Sequence, residues 1–154
     1  VYVWHLRYQG RCLGNFPHDD GTCSSSIRYH PSGYMALGAE SGVVSLYETS
    51  NSILSGLTNA MPVKIKSVMN LTMKINSLAF HPSGQLVAMA SDQSRNELRL
   101  AHAQTATVYS NWPTDRSPIR RVHSLDFSPK GGYFAVGNNK GKVLLYRLNA
   151  FSLA

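Results

Sequence analysis

The sequence predicts an all-β chain built from short antiparallel sheets that repeat. Three observations carry this reading. Apolar residues alternate with polar ones, or run in short blocks bounded by turn residues, as strands do. Turn signals recur at Pro31-Ser32-Gly33, Pro82-Ser83-Gly84 and Pro129-Lys130-Gly131, where Pro presets a turn dihedral and Gly supplies positive φ without steric cost. The turns also keep step: Pro31 to Pro82 is 51 residues and Pro82 to Pro129 is 47.

The clearest unit is His123 to Leu148, HSLDFSPKGGYFAVGNNKGKVLLYRL. It reads as three strands separated by two turns. Ser26 to Tyr47, SIRYHPSGYMALGAESGVVSLY, and Ser77 to His102, SLAFHPSGQLVAMASDQSRNELRLAH, follow the same plan. A self-similar unit of about 40–50 residues with three or four strands is the signature of β-propeller blades. The pattern of apolar-x-aromatic, His or Ser, Pro-x-Gly, apolar strand, turn, and apolar strand ending near Tyr or Trp resembles the WD40 repeat. The expected fold is therefore all-β: a partial WD40 β-propeller, about two and a half to three blades of seven, with all 154 residues in one propeller domain. Seven blades would take about 300 residues, and the chain starts without Met in a strand, so it reads as a C-terminal piece of a longer protein.

Taken in order, residues 1–17 read as a blade remnant. Val1 to Leu6 is its third strand, with Trp4 followed by His5, and Arg11 to Phe16 is its outer strand. His18 to Ser25 is a polar connector with a turn at Asp20-Gly21. The first complete repeat spans 24–71. Its first turn is one residue short: Pro31 to Gly38 is seven steps, against eight from Pro82 to Ala90 and from Pro129 to Gly137. Thr49 to Pro62 is rich in Ser, Thr and Asn and reads as a long loop, a place where partner contacts are grafted or where the chain is disordered. Val63 to Leu71 is an outer strand whose Lys64 and Lys66 protect an edge. The second repeat spans 75–112, with an enlarged turn at Ser91 to Asn96 and an outer strand at Thr107 to Trp112. Pro113 to Arg121 is a loop holding Arg116, Arg120 and Arg121, the densest basic cluster. The third repeat, 121–148, lacks its own outer strand. That strand is expected from absent N-terminal sequence of the same protein, because closure removes sheet edges that invite aggregation.

The composition holds 15 Lys and Arg against 8 Asp and Glu, for a formal charge of +7. Such a balance suits a polyanionic partner, although the charge is dispersed and serves a solvated surface equally well. Cys12 and Cys23 are too few for a disulfide scaffold and lack zinc spacing. No stretch has the length and apolarity of a membrane span.

Catalytic signatures are missing: there is no phosphate-binding Gly loop, no H-E-x-x-H and no nucleophile elbow. His30 and His81 hold equivalent positions at a turn where the third repeat has Ser128, which suits a side chain bonding local backbone. His18, Asp19, Asp20 and Cys23 form at most half of a metal constellation. Asn70-Leu71-Thr72 has the form of a glycosylation sequon, and Ser117-Pro118 that of a proline-directed phosphorylation site. Tyr29, Phe80 and Phe127 recur at one strand-internal position, as do Tyr47 and Tyr146. Both sets are expected in cores rather than stacked on bases. No catalytic, cofactor or metal residue is assigned. The candidate RNA- or protein-contact surface is Arg116, Arg120, Arg121, Lys140 and Lys142, because these fall in loops and turns.

The order VYVWHLRYQGRCLGNF, SGVVSLYE, VKIKSVMNLT and the terminal repeat resembles the C-terminal half of the U3 small nucleolar RNA-associated protein 18 family of WD40 proteins. Lys66 to Leu71 and Asn138 to Lys142 are the more specific features. The resemblance implies a nucleolar, non-enzymatic scaffold of the small-subunit processome. Its implied partners are other WD40 proteins of the UTP-B subcomplex and the particle containing U3 RNA and the precursor of 18S rRNA. A WD40 adaptor reading an acidic peptide is the alternative. The chain departs from regular repeats in lacking Trp-Asp strand ends and the Gly-His dipeptide, which removes the Asp-His-Ser/Thr-Trp hydrogen-bond network.

Overall fold

The computed structural model describes residues 1–4, 12–18, 21–49, 62–114 and 116–151. Every regular element among them is a strand except one short 3-10 turn at Asn149–Phe151. Tyr2–Trp4 (β1) pairs with Cys12–Asn15 (β2). Ser24–His30 (β3), Tyr34–Ala39 (β4), Val44–Glu48 (β5) and Val63–Val68 (β6) form a four-stranded antiparallel meander. Ser77–Phe80 (β7), Leu86–Ala90 (β8) and Leu98–His102 (β9) make a third sheet, and Val122–Phe127 (β10), Tyr133–Asn138 (β11) and Val143–Arg147 (β12) a fourth. All neighbouring pairs are antiparallel and consecutive in sequence.

The predicted turns form as their residues dictate. In each, the Gly N–H donates to the carbonyl three residues back: Gly33 to His30 at 2.9 Å, Gly84 to His81 at 2.8 Å, Gly131 to Ser128 at 2.8 Å. All three glycines have positive φ, at +93°, +72° and +77°. The short first turn is visible in the register, where Tyr29 faces Met35 while Phe80 faces Val87 and Phe127 faces Phe134.

The sheets stack face to face, with their first strands β3, β7 and β10 in successive contact. Polar bonds tie these strands together. Arg28 Nε donates to the Leu78 carbonyl at 2.9 Å, and Ser25 Oγ donates to the Ile75 carbonyl at 2.6 Å.

Between the sheets lie separate apolar cores. One joins Ala36, Val44, Leu46 and Val68 to Leu78, Val87 and Met89; the next joins Ala79, Ala88 and Ala90 to Leu125, Phe127, Phe134 and Val136. Because side chains alternate across a strand, β8 serves both cores, which explains why it is apolar throughout rather than at every second position. Its two faces differ in size. Val87 and Met89 face back toward the second sheet, whereas Ala88 and Ala90 face forward, where Phe134 and Val136 fill the space. In β4 likewise, Met35 and Leu37 face back and Ala36 faces forward. Between the third and fourth sheets large residues thus meet small ones, the arrangement that lets packed layers interdigitate.

Two sequence expectations change. Thr107 to Trp112 forms no strand; it contributes one isolated bridge, Val108 to Ala101. Ala106 at φ +54° turns the chain sharply, and Trp112 swings off the edge of the sheet to pack against the fourth sheet's core. Tyr29 does not share the burial of its counterparts. It is 42% exposed, while Phe127 is at 7%. β1 and β2, with Phe16, cover Met35, Leu37 and Tyr47, but not the inner strand that carries Tyr29. The loop expected at Thr49 to Pro62 lies, but for its two ends, outside the described residues.

Candidate functional site

The two ends of the stacked sheets are built differently. At one end stand the Pro-x-Gly turns. His81 Nδ1 lies 2.8 Å from Ser83 Oγ and accepts the Ser83 backbone N–H at 3.1 Å, while Nε2 reaches the Gly131 carbonyl of the next sheet at 2.9 Å. His30 repeats the arrangement with Ser32 and the Pro82 carbonyl, the latter at 3.1 Å. These histidines do bond local backbone, as expected, and they also clamp each sheet to its successor.

At the opposite end lie the turns between second and third strands, together with the connectors that lead into each sheet. The second and third sheets carry acids there, each facing a nitrogen base at the entry to the next sheet. Glu40 meets Lys74 Nζ at 3.1 Å, and Asp92 faces His123 Nδ1 at 3.8 Å. The fourth sheet inverts this pattern. Its turn is Asn138-Asn139-Lys140-Gly141-Lys142. The Asn138 side chain folds back over the turn, its Oδ1 accepting the N–H groups of Lys140 at 3.0 Å and Lys142 at 3.3 Å. Asn is suited to this self-capping, and Gly141 takes φ +68° in open space.

The incoming connector is pinned just as firmly. Asn96, from the enlarged turn of the third sheet, donates its N–H to the Arg120 carbonyl at 2.9 Å and accepts the Arg120 N–H on Oδ1 at 3.1 Å. This two-way bond holds Arg120 at φ +61°. Arg121 offers its carbonyl to the Asn139 N–H at 3.0 Å. Connector and turn thereby frame a groove of about 400 Å³ lined by Pro118, Arg120, Asn138, Lys140, Lys142 and Leu144.

Of the five basic residues singled out from sequence, Arg120, Lys140 and Lys142 line this groove, while Arg116 and Arg121 are exposed but lie outside its lining. Asn138 and Asn96, which set the geometry, were missed as site residues; the Asn-Asn-x-Gly turn was the signal for the first. No carboxylate among the described residues lies within ion-pair distance of the three cations. Chemically, the groove gathers positive charge on ordered backbone beside Pro118 and Leu144, and its lining holds no catalytic arrangement.

Elsewhere, an apolar cavity of about 410 Å³ lies between Leu86, Leu100, Trp112, Phe134, Tyr146 and Phe151. Burial there raises the Tyr146 phenol above its ordinary range. Among the described residues no group of three or more His, Cys, Asp or Glu side chains is arranged to hold a metal; Asp19 and Asp20 lie outside those residues.

Comparison with known proteins now bears on this architecture. The WD domain, G-beta repeat matches residues 66–94, from within β6 to just beyond β8. A WD40 repeat thus lies across the second and third sheets. The described residues are all-β and consistent with partial blades of a WD40 propeller, and the chain is similar along most or nearly all of its length to several known proteins. It is 41% identical over 154 residues to the U3 small nucleolar RNA-associated protein 18 homolog of Mus musculus, covering 99% of this chain and 27% of the relative. It is 40% identical, with the same coverage, to the homolog of Homo sapiens. Against U3 small nucleolar RNA-associated protein 18 of Saccharomyces cerevisiae it is 42% identical over 118 residues, 77% of this chain and 19% of the relative. The chain therefore spans about a quarter of the length of these mouse and human relatives.

Proposed function

We propose that this WD40 segment belongs to a non-enzymatic scaffold of the small-subunit processome, acting in the nucleolus in U3-dependent maturation of 18S rRNA. Its partners in this reading are other WD40 proteins of the UTP-B subcomplex and the U3-containing particle. The single observation that carries the reading is identity near 40% along the entire chain with proteins named for association with U3 small nucleolar RNA. The architecture supports it. Stacked sheets held by clamps and interlocking cores make a rigid body that presents turns and connectors, and repeat proteins use such surfaces to bind partners.

The test is purification of the tagged intact protein from its own cells, with the eluate probed for U3 RNA and co-purifying proteins. Recovery of U3 RNA together with several other WD40 proteins, surviving moderate salt, is the expected result. An eluate holding one acidic partner and no U3 RNA would replace the proposal with the adaptor reading.

A further inference from the structure

We propose that the groove formed by Pro118, Arg120, Asn138, Lys140, Lys142 and Leu144 is a contact site for the phosphodiester backbone of single-stranded RNA, read without regard to base. The inference deepens the function proposed above and rests on it for the choice of RNA.

The first argument is electrostatic. At this end of the propeller the second and third sheets each place a carboxylate at the turn, Glu40 paired with Lys74 at 3.1 Å and Asp92 standing 3.8 Å from His123 Nδ1. Only the fourth sheet among the described ones places two lysines at the turn and an arginine on the connector facing them. Like charges gathered with no counter-charge among the described residues repel one another, so the arrangement is relieved when an anion enters.

The second argument is preorganisation. The backbones of all three cationic residues are fixed by N–H groups that donate to asparagine side-chain oxygens: those of Lys140 and Lys142 to Asn138, and that of Arg120 to Asn96. The charges are therefore presented from ordered chain, and less entropy is lost when they bind.

The third argument is shape. A space of about 400 Å³ accommodates a nucleotide-sized piece of chain rather than a folded surface. Its walls are Pro118 and Leu144, with no aromatic ring to stack a base, so recognition falls on phosphate and sugar.

The groove is also placed to stay open. Leu144 belongs to the core shared with the preceding sheet. Val143 and Leu145 point to the opposite face of β12, where they are exposed. A further blade stacked on that exposed face would leave the groove uncovered.

The test uses the intact protein and fluorescent oligouridine and oligoadenine strands, titrated by anisotropy across a salt series. The triple variant Arg120→Ser, Lys140→Ser, Lys142→Ser is compared with a charge-matched triple, Arg116→Ser, Arg121→Ser, Lys130→Ser, outside the groove; thermal melts confirm that both are folded. Each phosphate neutralised contributes about 0.7 to the slope of log affinity against log salt for a single strand, so loss of three cations should flatten that slope by roughly 2. The expected result is that loss for the groove triple on both strands alike, weaker binding at physiological salt, and a much smaller change for the control. Equal effects of the two triples, no effect of the groove triple, a strong preference for one base, or no RNA binding by the unaltered protein would each overturn the proposal. So would a polyglutamate peptide that binds the groove in preference to RNA. Recovery of U3 RNA from cells separates the two levels: a groove triple with unchanged RNA affinity alongside normal U3 recovery by the unaltered protein sinks the groove and spares the scaffold reading. Failure of the unaltered protein to recover U3 sinks the scaffold reading itself.

Discussion

The imidazole of His81 bridges two sheets, its Nε2 standing 2.9 Å from the carbonyl oxygen of Gly131 in the next one. The ring's other nitrogen accepts the Ser83 N–H at 3.1 Å. A backbone amide can only donate, so Nδ1 is the accepting nitrogen and Nε2 carries the proton given to Gly131. The ring also lies edge-on to Phe127, with centroids 5.3 Å apart, and tilted against Phe151 at 4.2 Å. His81→Phe keeps an aromatic ring and removes both nitrogens. It leaves the Gly131 carbonyl and Ser83 N–H without partners, at a cost of about 1–3 kcal/mol for an orphaned buried group. Denaturant midpoints of His81→Phe and the parent chain measure this; equal midpoints would show that the clamp contributes nothing.

Gly131 supplies the other half of that relationship. A Cβ built there would collide with the His81 ring, and φ is +77°. At Gly141, φ is +68° and nothing lies within 4 Å. Left-handed backbone alone costs a non-glycine residue about 1–2 kcal/mol. Gly141→Ala should therefore lose about that much, and Gly131→Ala clearly more, because its strain adds to a clash with a ring held at both nitrogens. Thermal or urea unfolding of the two variants, side by side, separates backbone strain from collision.

Much of this architecture was legible in the sequence, for local reasons. Pro-x-Gly turns, period-2 strands and a recurring unit are written in neighbouring residues, so the all-β partial propeller could be read directly. The Thr107 to Trp112 segment misled because its composition suits a strand, whereas Trp112 gains more by packing beside Phe134 and Tyr146, with centroids at 5.9 and 5.0 Å. That competition is tertiary. The same holds for the basic cluster: Arg116, Arg120 and Arg121 are close in sequence, yet only Arg120 lines the groove with Lys140 and Lys142. The selection is made by Asn96, 24 residues away, and such a bond leaves no periodic trace.

The alternation of small and large residues on β8 gives the stacking a direction that mutation can probe. Met89 is fully buried toward the second sheet, and Ala88, also fully buried, faces Phe134 and Val136. Met89→Ala opens a cavity and should cost about 2–5 kcal/mol. Ala88→Leu overpacks the opposite interface at about 1–3 kcal/mol. Chemical denaturation of each variant should show both losses. A neutral Ala88→Leu would mean that the forward interface has unfilled room.

Tyr146 sets an alkaline signature. Burial raises its phenol above the usual value near 10. For a group whose folded value is raised, the associated stability is complete below the unfolded value and declines as pH rises toward and through the folded one. Unfolding free energy should therefore hold steady up to about pH 9 and fall above about pH 10, more steeply in the parent chain than in Tyr146→Phe. The difference between the two isolates this residue from the other seven of the 8 tyrosines. Parallel curves for parent and variant above that pH would remove Tyr146 from the account.

Corresponding positions on β5 and β12 should respond oppositely to one substitution. Leu46 on β5 is 1% exposed, covered by the third sheet, whereas Leu145 on β12, facing Ala135 as Leu46 faces Ala36, is 65% exposed. A lysine at Leu46 must bury an unpaired ammonium, for which the interior holds no partner, and the chain should fail to fold. Leu145→Lys places the charge in water; its effect on stability of the same 154 residues should stay within about 0.5 kcal/mol. Because Val143 beside it is 73% exposed, the two form an apolar surface of the kind that drives association. Leu145→Lys should accordingly raise the concentration at which the chain remains monomeric in sedimentation or light scattering. A loss of stability comparable to that of Leu46→Lys would instead show that this face of β12 is covered in solution.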